Sequence, residues 1–273
     1  MLSQLPCFSK FPAIMGILNV TPDSFYDGGR YLGKEAAMER ARQMADNGAD
    51  IIDVGGESTR PGAAAVGAQE EMDRVCPVIE AAAKELPVLL SVDTTKSAVA
   101  AAAAAAGASI INDISGASFD AAMLGTAAAS GAAIVLTHTS GRPREMQSKT
   151  SYIDLIGEIK SFLERVSAEA EAKGIDKGRI ILDPGIGFGK TFEDNYRIIR
   201  HIPELKKIGF PLLIGLSRKS LIGKLYAKDE NRLAATIALN SVAVYAGADI
   251  IRVHDVKAHN LAMAALLKLR QVS

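Results

Sequence analysis

Short, almost uninterrupted apolar runs recur along the whole chain, and a polar residue or two follows each. They read AIMGILN (13–19), DIIDVGG (50–56), VLLSVD (88–93), SIIND (109–113), AIVLTH (133–138), RIILDP (179–184), PLLIGL (211–216) and DIIRVH (249–254). Near-continuous apolar runs of this length are what parallel strands covered on both faces require. Between them lie segments of helical periodicity such as KEAAMERARQMADNG (34–48), QEEMDRVCPVIEAAAKE (69–85) and YIDLIGEIKSFLERVSAEAEAKG (152–174), two of which end in glycine, the usual helix stop. Three junctions echo one another: Gly48-Ala49-Asp50-Ile51-Ile52, Gly107-Ala108-Ser109-Ile110-Ile111 and Gly247-Ala248-Asp249-Ile250-Ile251. Their spacing is irregular, which argues against a solenoid. Strands alternating with helices predict an α/β chain of the (β/α)8 TIM-barrel type, one domain over residues 1–273 with its core at about 12–270. A doubly wound sheet is the alternative, disfavoured because no G-x-G-x-x-G follows the first strand.

A barrel places its functional side chains where strands end. Asn19 ends the first run, Glu57-Ser58-Thr59-Arg60 follows the second, Asp93 ends the third, and Asn112 with Asp113 the fourth. His138 ends the fifth, Asp183 the sixth, Ser217-Arg218-Lys219-Ser220 follows the seventh, and Arg252 with His254 finishes the eighth. Turn chemistry explains a few such residues but not one at every strand end, so the pattern predicts a shared pocket. The segment Asp183-Pro184-Gly185-Ile186-Gly187-Phe188-Gly189-Lys190 lacks the order of a nucleotide phosphate loop. Its glycines instead let backbone approach a flat ligand beside Asp183.

Charge sharpens this picture. The 273 residues carry 31 Lys plus Arg and 31 Asp plus Glu, a formal net charge of zero. A nucleic-acid surface needs surplus cations, so any anion site here must be local. Hydrophobic residues make up 48% and charged residues 23%, as in soluble globular domains. The alanine run Ala100–Ala106 is too short to span a membrane, and MLSQLPCFSKF has neither a basic start nor a long apolar run. Cys7 and Cys76 stand far apart, outside any zinc or disulfide spacing. A cytoplasmic enzyme with small-molecule substrates, and no nucleic-acid or membrane partner, is expected.

The motifs MGILNVTPDSFYDGG (15–29), DVGGESTRPGA (53–63), SVDTTK (91–96), INDISG (111–116), DPGIGFGK (183–190), GLSRKSLIG (215–223) and RVHDV (252–256) together closely resemble the dihydropteroate synthase family, in order from first strand to last. The resemblance implies a TIM barrel that condenses 6-hydroxymethyl-7,8-dihydropterin diphosphate with p-aminobenzoate, releasing pyrophosphate and 7,8-dihydropteroate on the route to folate. It further implies Mg2+, a homodimer and a p-aminobenzoate site at which sulfonamides would compete. By matching motifs, Asp183 and Asn112 resemble the residues that read the aminopyrimidinone edge of the pterin. Asp93 resembles one on another part of the ring, and Lys219 the lysine that touches it. Asn19 resembles the Mg2+ ligand and, with Arg252 and His254, faces the diphosphate; Arg252 and His254 can alternatively be read as a structural ion-pair cluster. Asp93, Asp183, Lys219, Arg252 and His254 are the catalytic candidates, and Thr59, Arg60, Pro61, Phe188 and Ser220 the p-aminobenzoate contacts. The sequence departs from the family at Thr137-His138-Thr139, where Met-His-Met is usual, and at Tyr26; His138 reads as a pocket-wall residue. Two other readings stay open. A pterin-binding methyltransferase domain serving a corrinoid should lack the GLSRKS lysine and the RVH pair. A non-catalytic pterin-binding module needs no diphosphate site.

Overall fold

The apolar runs form parallel strands that ring a common interior: β1 Ala13–Asn19, β2 Ile51–Gly55, β3 Leu89–Asp93, β4 Ile110–Asp113, β5 Ala133–Thr137, β6 Ile180–Asp183, β7 Leu213–Ile214 and β8 Ile250–Val253. The computed structural model describes residues 12–20, 29–58, 65–226 and 230–271. Hydrogen-bonded order is β6-β5-β4-β3-β2-β1-β8-β7. The ring closes between β6 and β7 at one bridge, Leu182 with Leu212, where Leu182 N donates to Pro211 O at 2.9 Å. The expected (β/α)8 barrel is therefore the observed architecture.

Helices follow the strands around the outside: α1 Gly29–Asp46, α2 Ala68–Glu85, α3 Ser97–Ala106, α4 Met123–Ser130, α5 Leu155–Ala172, α6 Phe192–Arg200, α7 Ile202–Leu205, α8 Ser220–Gly223, α9 Glu230–Tyr245 and α10 Val256–Gln271. The alanine run is α3, which buries Val99, Ala100 and Ala103 and stops at Gly107 in the left-handed region. No helix among the described residues is long and apolar enough to cross a membrane.

Strand alternation divides the core in two. Ala13, Met15, Ile51, Ile110, Ala133, Val135, Ile181, Leu213 and Ile250 pack together inside the barrel. Their sequence neighbours Ile14, Ile52, Ile111, Ile134, Leu182, Ile214 and Ile251 pack outward against the helices. Residues two apart on a strand face the same side. The inward set therefore continues upward to Asn19, Asp53, Gly55, Asp93, Asn112, Thr137, Asp183 and Arg252. The apolar layers form the floor on which these residues stand.

At the opposite end, the echoed junctions have a purpose: Asp50 Oδ2 accepts from Ile14 N at 2.8 Å and Asp249 Oδ2 from Leu212 N at 2.7 Å. Each aspartate stands in for a ladder partner on the neighbouring strand. This sets the start of β7 at Leu213, two residues into the run expected at 211–216, because Pro211 has no N–H and that of Leu212 goes to the Asp249 side chain; the strand ends at Ile214.

Candidate active site

Register sets the first tier of the pocket: Asn19 lies beside Gly55, Gly55 beside Asp93, and Asp93 beside Asn112. A Cβ on Gly55 would lie 3.6 Å from both Asn19 Oδ1 and Asp93 Cβ, so the absent side chain leaves those two groups side by side. Asn19 is exposed, whereas Asp93, Asn112 and Asp183 are buried. Thr137 lies beside Asp183, and its buried hydroxyl has no protein partner among the described residues.

Below this tier sits Asp53, fully buried, which strand-end reasoning passed over because it interrupts β2 rather than ending it. Its Oδ2 accepts from Asn112 Nδ2 at 2.9 Å and from Arg252 Nε at 2.6 Å. Arg252 Nη2 donates to Asp93 Oδ2 at 2.6 Å. Arg252 thus stands between two carboxylates with its Nε and Nη2 engaged, so the Arg252 half of the ion-pair cluster weighed from sequence is present, within the pocket. His254 Nδ1 lies 2.9 Å from Ser217 Oγ, which ties the end of the β8 run to the loop after β7.

The glycine-rich loop forms the facing wall. Asp183 Oδ1 accepts from Gly185 N at 2.7 Å. Gly185 has φ +72°, and a Cβ there would lie 1.8 Å from His138 O, so only glycine fits. Lys219 Nζ donates to Ile186 O and lies 4.5 Å from the centroid of the half-buried Phe188 ring, a cation–π contact. Lys190, buried, donates to His138 O at 3.2 Å and Phe188 O at 3.0 Å, with Nζ 2.8 Å from His138 Nδ1. It pins the loop to the end of β5.

Two strand-end residues leave the pocket. Asp113 faces outward and accepts from Ser115 N and Ala117 N, closing its own turn. The His138 ring meets Phe162 edge-on at 4.9 Å. It backs the glycine loop instead of lining the ligand space. Thr139 Oγ1 closes a local turn to Gly141 O at 2.8 Å. Ser220 is exposed and opens α8, which is a single turn. Thr59, Arg60, Pro61 and Tyr26 lie outside the described residues.

Burial governs the charges. It pushes the Asp93 carboxyl up to about 7 against the pull of Arg252, with Asp53 and Glu71 adding to the rise. Asp183 is also raised by burial, opposed by Lys219 and the Gly185 N–H. Burial brings Lys219 down to about 8, with Asp183 holding it up and Arg252 pushing it down. Beside Asp93 opens a cavity of about 450 Å³ whose lining includes Glu57, Lys96, Phe119 and Arg142, a size suited to a small ligand. The whole presents carboxylates and an amide to the donors of a planar heterocycle, with cations at its rim.

The comparisons agree with this geometry. A family model described as pterin binding enzyme matches residues 15–254. A dihydropteroate synthase of Synechocystis sp. is 49% identical over 253 residues, covering 92% of this chain and 88% of that protein. The chain belongs to the dihydropteroate synthase family. A dihydropteroate synthase structure from Clostridium difficile, solved in the presence of pteroic acid, superposes with TM-score 0.90 at 42% identity, covering 95% of this chain and 97% of the other. The Yersinia pestis dihydropteroate synthase with a sulfonamide drug superposes with TM-score 0.90 at 44% identity, covering 96% and 95%. In this member of the dihydropteroate synthase family, Asp53 and Lys190 lie buried beneath the strand-end candidates Asp93, Asn112, Asp183, Lys219 and Arg252.

Proposed function

We propose that the chain catalyses the family reaction with the following division of labour. Asp183 and Asn112 bind the aminopyrimidinone edge of 6-hydroxymethyl-7,8-dihydropterin diphosphate, and Asp93 a further ring N–H. Lys219 lies against the ring from the side of Phe188. Carbon–oxygen cleavage at the pterin methylene builds positive charge that the ring delocalises, and the Asp93 and Asp183 carboxylates stabilise it. The aniline nitrogen of p-aminobenzoate then attacks the methylene, held by Ser220, Phe188 and the 59–61 segment. Catalysis comes from positioning and electrostatics, with no covalent nucleophile.

Arg252 and His254 face the departing pyrophosphate. Asn19 offers an exposed amide oxygen next to Asp93. Among the described residues no cluster of three or more acidic, His or Cys side chains forms a cage. One protein oxygen completed by waters and phosphate oxygens suits magnesium. Asn19 would hold Mg2+, which when bound supplies positive charge against the leaving diphosphate. Exposed Leu233, Val242 and Tyr245 on α9, with Leu261 and Leu269 on α10, support a homodimer through these helices. The reaction is placed in the cytoplasm.

The observation that carries the reading is the convergence of Asp93, Asn112, Asp183, Lys219 and Arg252, from five strand ends, on one pocket. The test is pyrophosphate release on mixing the chain with pterin diphosphate, p-aminobenzoate and Mg2+. Release should require both substrates and be matched by dihydropteroate. Asp183→Ala should abolish turnover and pterin binding, and near-normal turnover in that variant would overturn the assignment.

A further inference from the structure

The geometry points to Asp53 as a positioning residue: one buried carboxylate oxygen, accepting from both Asn112 Nδ2 and Arg252 Nε, sets the hydrogen-bonding sense with which the site reads its heterocycle. Asp53 has no exposed surface, so it acts through these two partners and never touches the ligand. This assignment rests on Asn112 and Arg252 facing the pterin as proposed above.

An ionised carboxylate only accepts hydrogen bonds. With Asp53 Oδ2 at 2.9 Å, the Asn112 amide must turn its nitrogen toward β2. Its oxygen and its second N–H hydrogen remain as an acceptor and a donor side by side. That pair complements a ring edge on which an amino donor adjoins a ring-nitrogen acceptor. It mismatches the analogue with a carbonyl in place of the amino group. An amide at position 53 would accept either orientation of Asn112 and lose the discrimination.

The same oxygen fixes Arg252. Nε is held from below by Asp53 and Nη2 from above by Asp93, so the planar guanidinium has one orientation. When a ring N–H takes over Asp93, Asp53 still retains Arg252 in place. Register accounts for the depth: Asp53 pairs with Ser91, two residues below Asp93 on β3. A carboxylate buried there is a poor way to gain stability, since buried ion pairs often roughly break even. Orientation is what it provides.

The test is a double-mutant cycle on the full chain, with Asp53→Asn, Asn112→Ala and the double variant assayed for both substrates. Asp53→Asn keeps the shape of the side chain and leaves Arg252 its Asp93 partner. It should raise the KM for pterin diphosphate by about tenfold or more, leave the KM for p-aminobenzoate within about twofold, and weaken discrimination against the 2-oxo analogue. The double variant should be worse than Asn112→Ala by clearly less than the full Asp53→Asn factor, because the Asn112 share of that penalty is already lost and only the Arg252 share remains. Multiplying penalties would overturn the role of Asp53 alone; an unchanged pterin KM in Asn112→Ala would overturn the reading of Asn112 with it. A measurement on the unaltered chain guards against misfolded variants. The Arg252 Nε–H resonance, assigned by its loss in Arg252→Lys, should exchange with solvent about 100-fold more slowly than surface arginines, with and without 6-hydroxymethylpterin. Exchange at the surface rate would overturn the proposal.

Discussion

Burial of Lys219 beside Asp183 and Arg252 brings its ammonium down to about 8 in the ligand-free chain, so its charge is lost on the alkaline side of neutrality. Since kcat/KM reports the free enzyme, its alkaline limb should fall near that value, and Lys219→Arg should move the limb upward whatever it does to the maximum rate. His138 is lowered too, with its consequence on the acid side. Burial and the neighbouring Lys190 hold its imidazole down to about 3 from the ordinary 6.5. Between those values the unfolded chain binds a proton that the folded chain refuses, so this contribution to stability is lost as pH falls. Urea unfolding should show the parent chain losing stability relative to His138→Gln between pH 6.5 and 5. At this scale the sequence made Asp93, Asn112 and Asp183 legible, because each ends an apolar run. The same criterion admitted Asp113 and His138, whose odd or even position on the strand turns them away. Asp53 was recoverable from alternation with Ile51 and Gly55, a signal outweighed by its place inside the run.

Among the elements, the strands were legible because burial on both faces leaves almost only apolar residues. The late start of β7 was not, since it depends on Asp249, which reaches over from just before β8. The glycine loop between β6 and α6 was visible as composition, while its fixation by Lys190 required the partner at the end of β5. Gly185→Ala should show what that fixation demands. A methyl group forced against His138 O from a left-handed backbone should lower stability by more than about 2 kcal/mol. It should also displace the Gly185 N–H from Asp183, so pterin affinity should fall even where the variant remains folded, which calorimetric titration would measure.

Taken as a whole molecule, the barrel explains how a chain of zero net charge handles an anionic substrate: cations and the carboxylates above and below them neutralise one another within one pocket. The exposed apolar residues of α9 and α10 make a prediction at this scale. Light scattering should give a mass of two chains, and Tyr245→Glu with Leu261→Glu should give one, with pterin binding retained because both side chains are exposed on helices outside the barrel. The closure at Leu182 and Leu212 bears on how the enzyme receives its substrate. Neighbouring strands are laced by ladders at seven junctions, and the eighth, between β6 and β7, has a single bridge. Mechanically the barrel is a split ring, stiff around most of its circumference and compliant at one slot. Asp183 ends the strand on one side of that slot and Lys219 follows the strand on the other. The gap between Asp183 and Lys219, the two groups proposed to hold the heterocycle, is therefore set where the ring has its single bridge, and the Leu182 amide should exchange its hydrogen ahead of the β1 and β2 amides until a pterin binds.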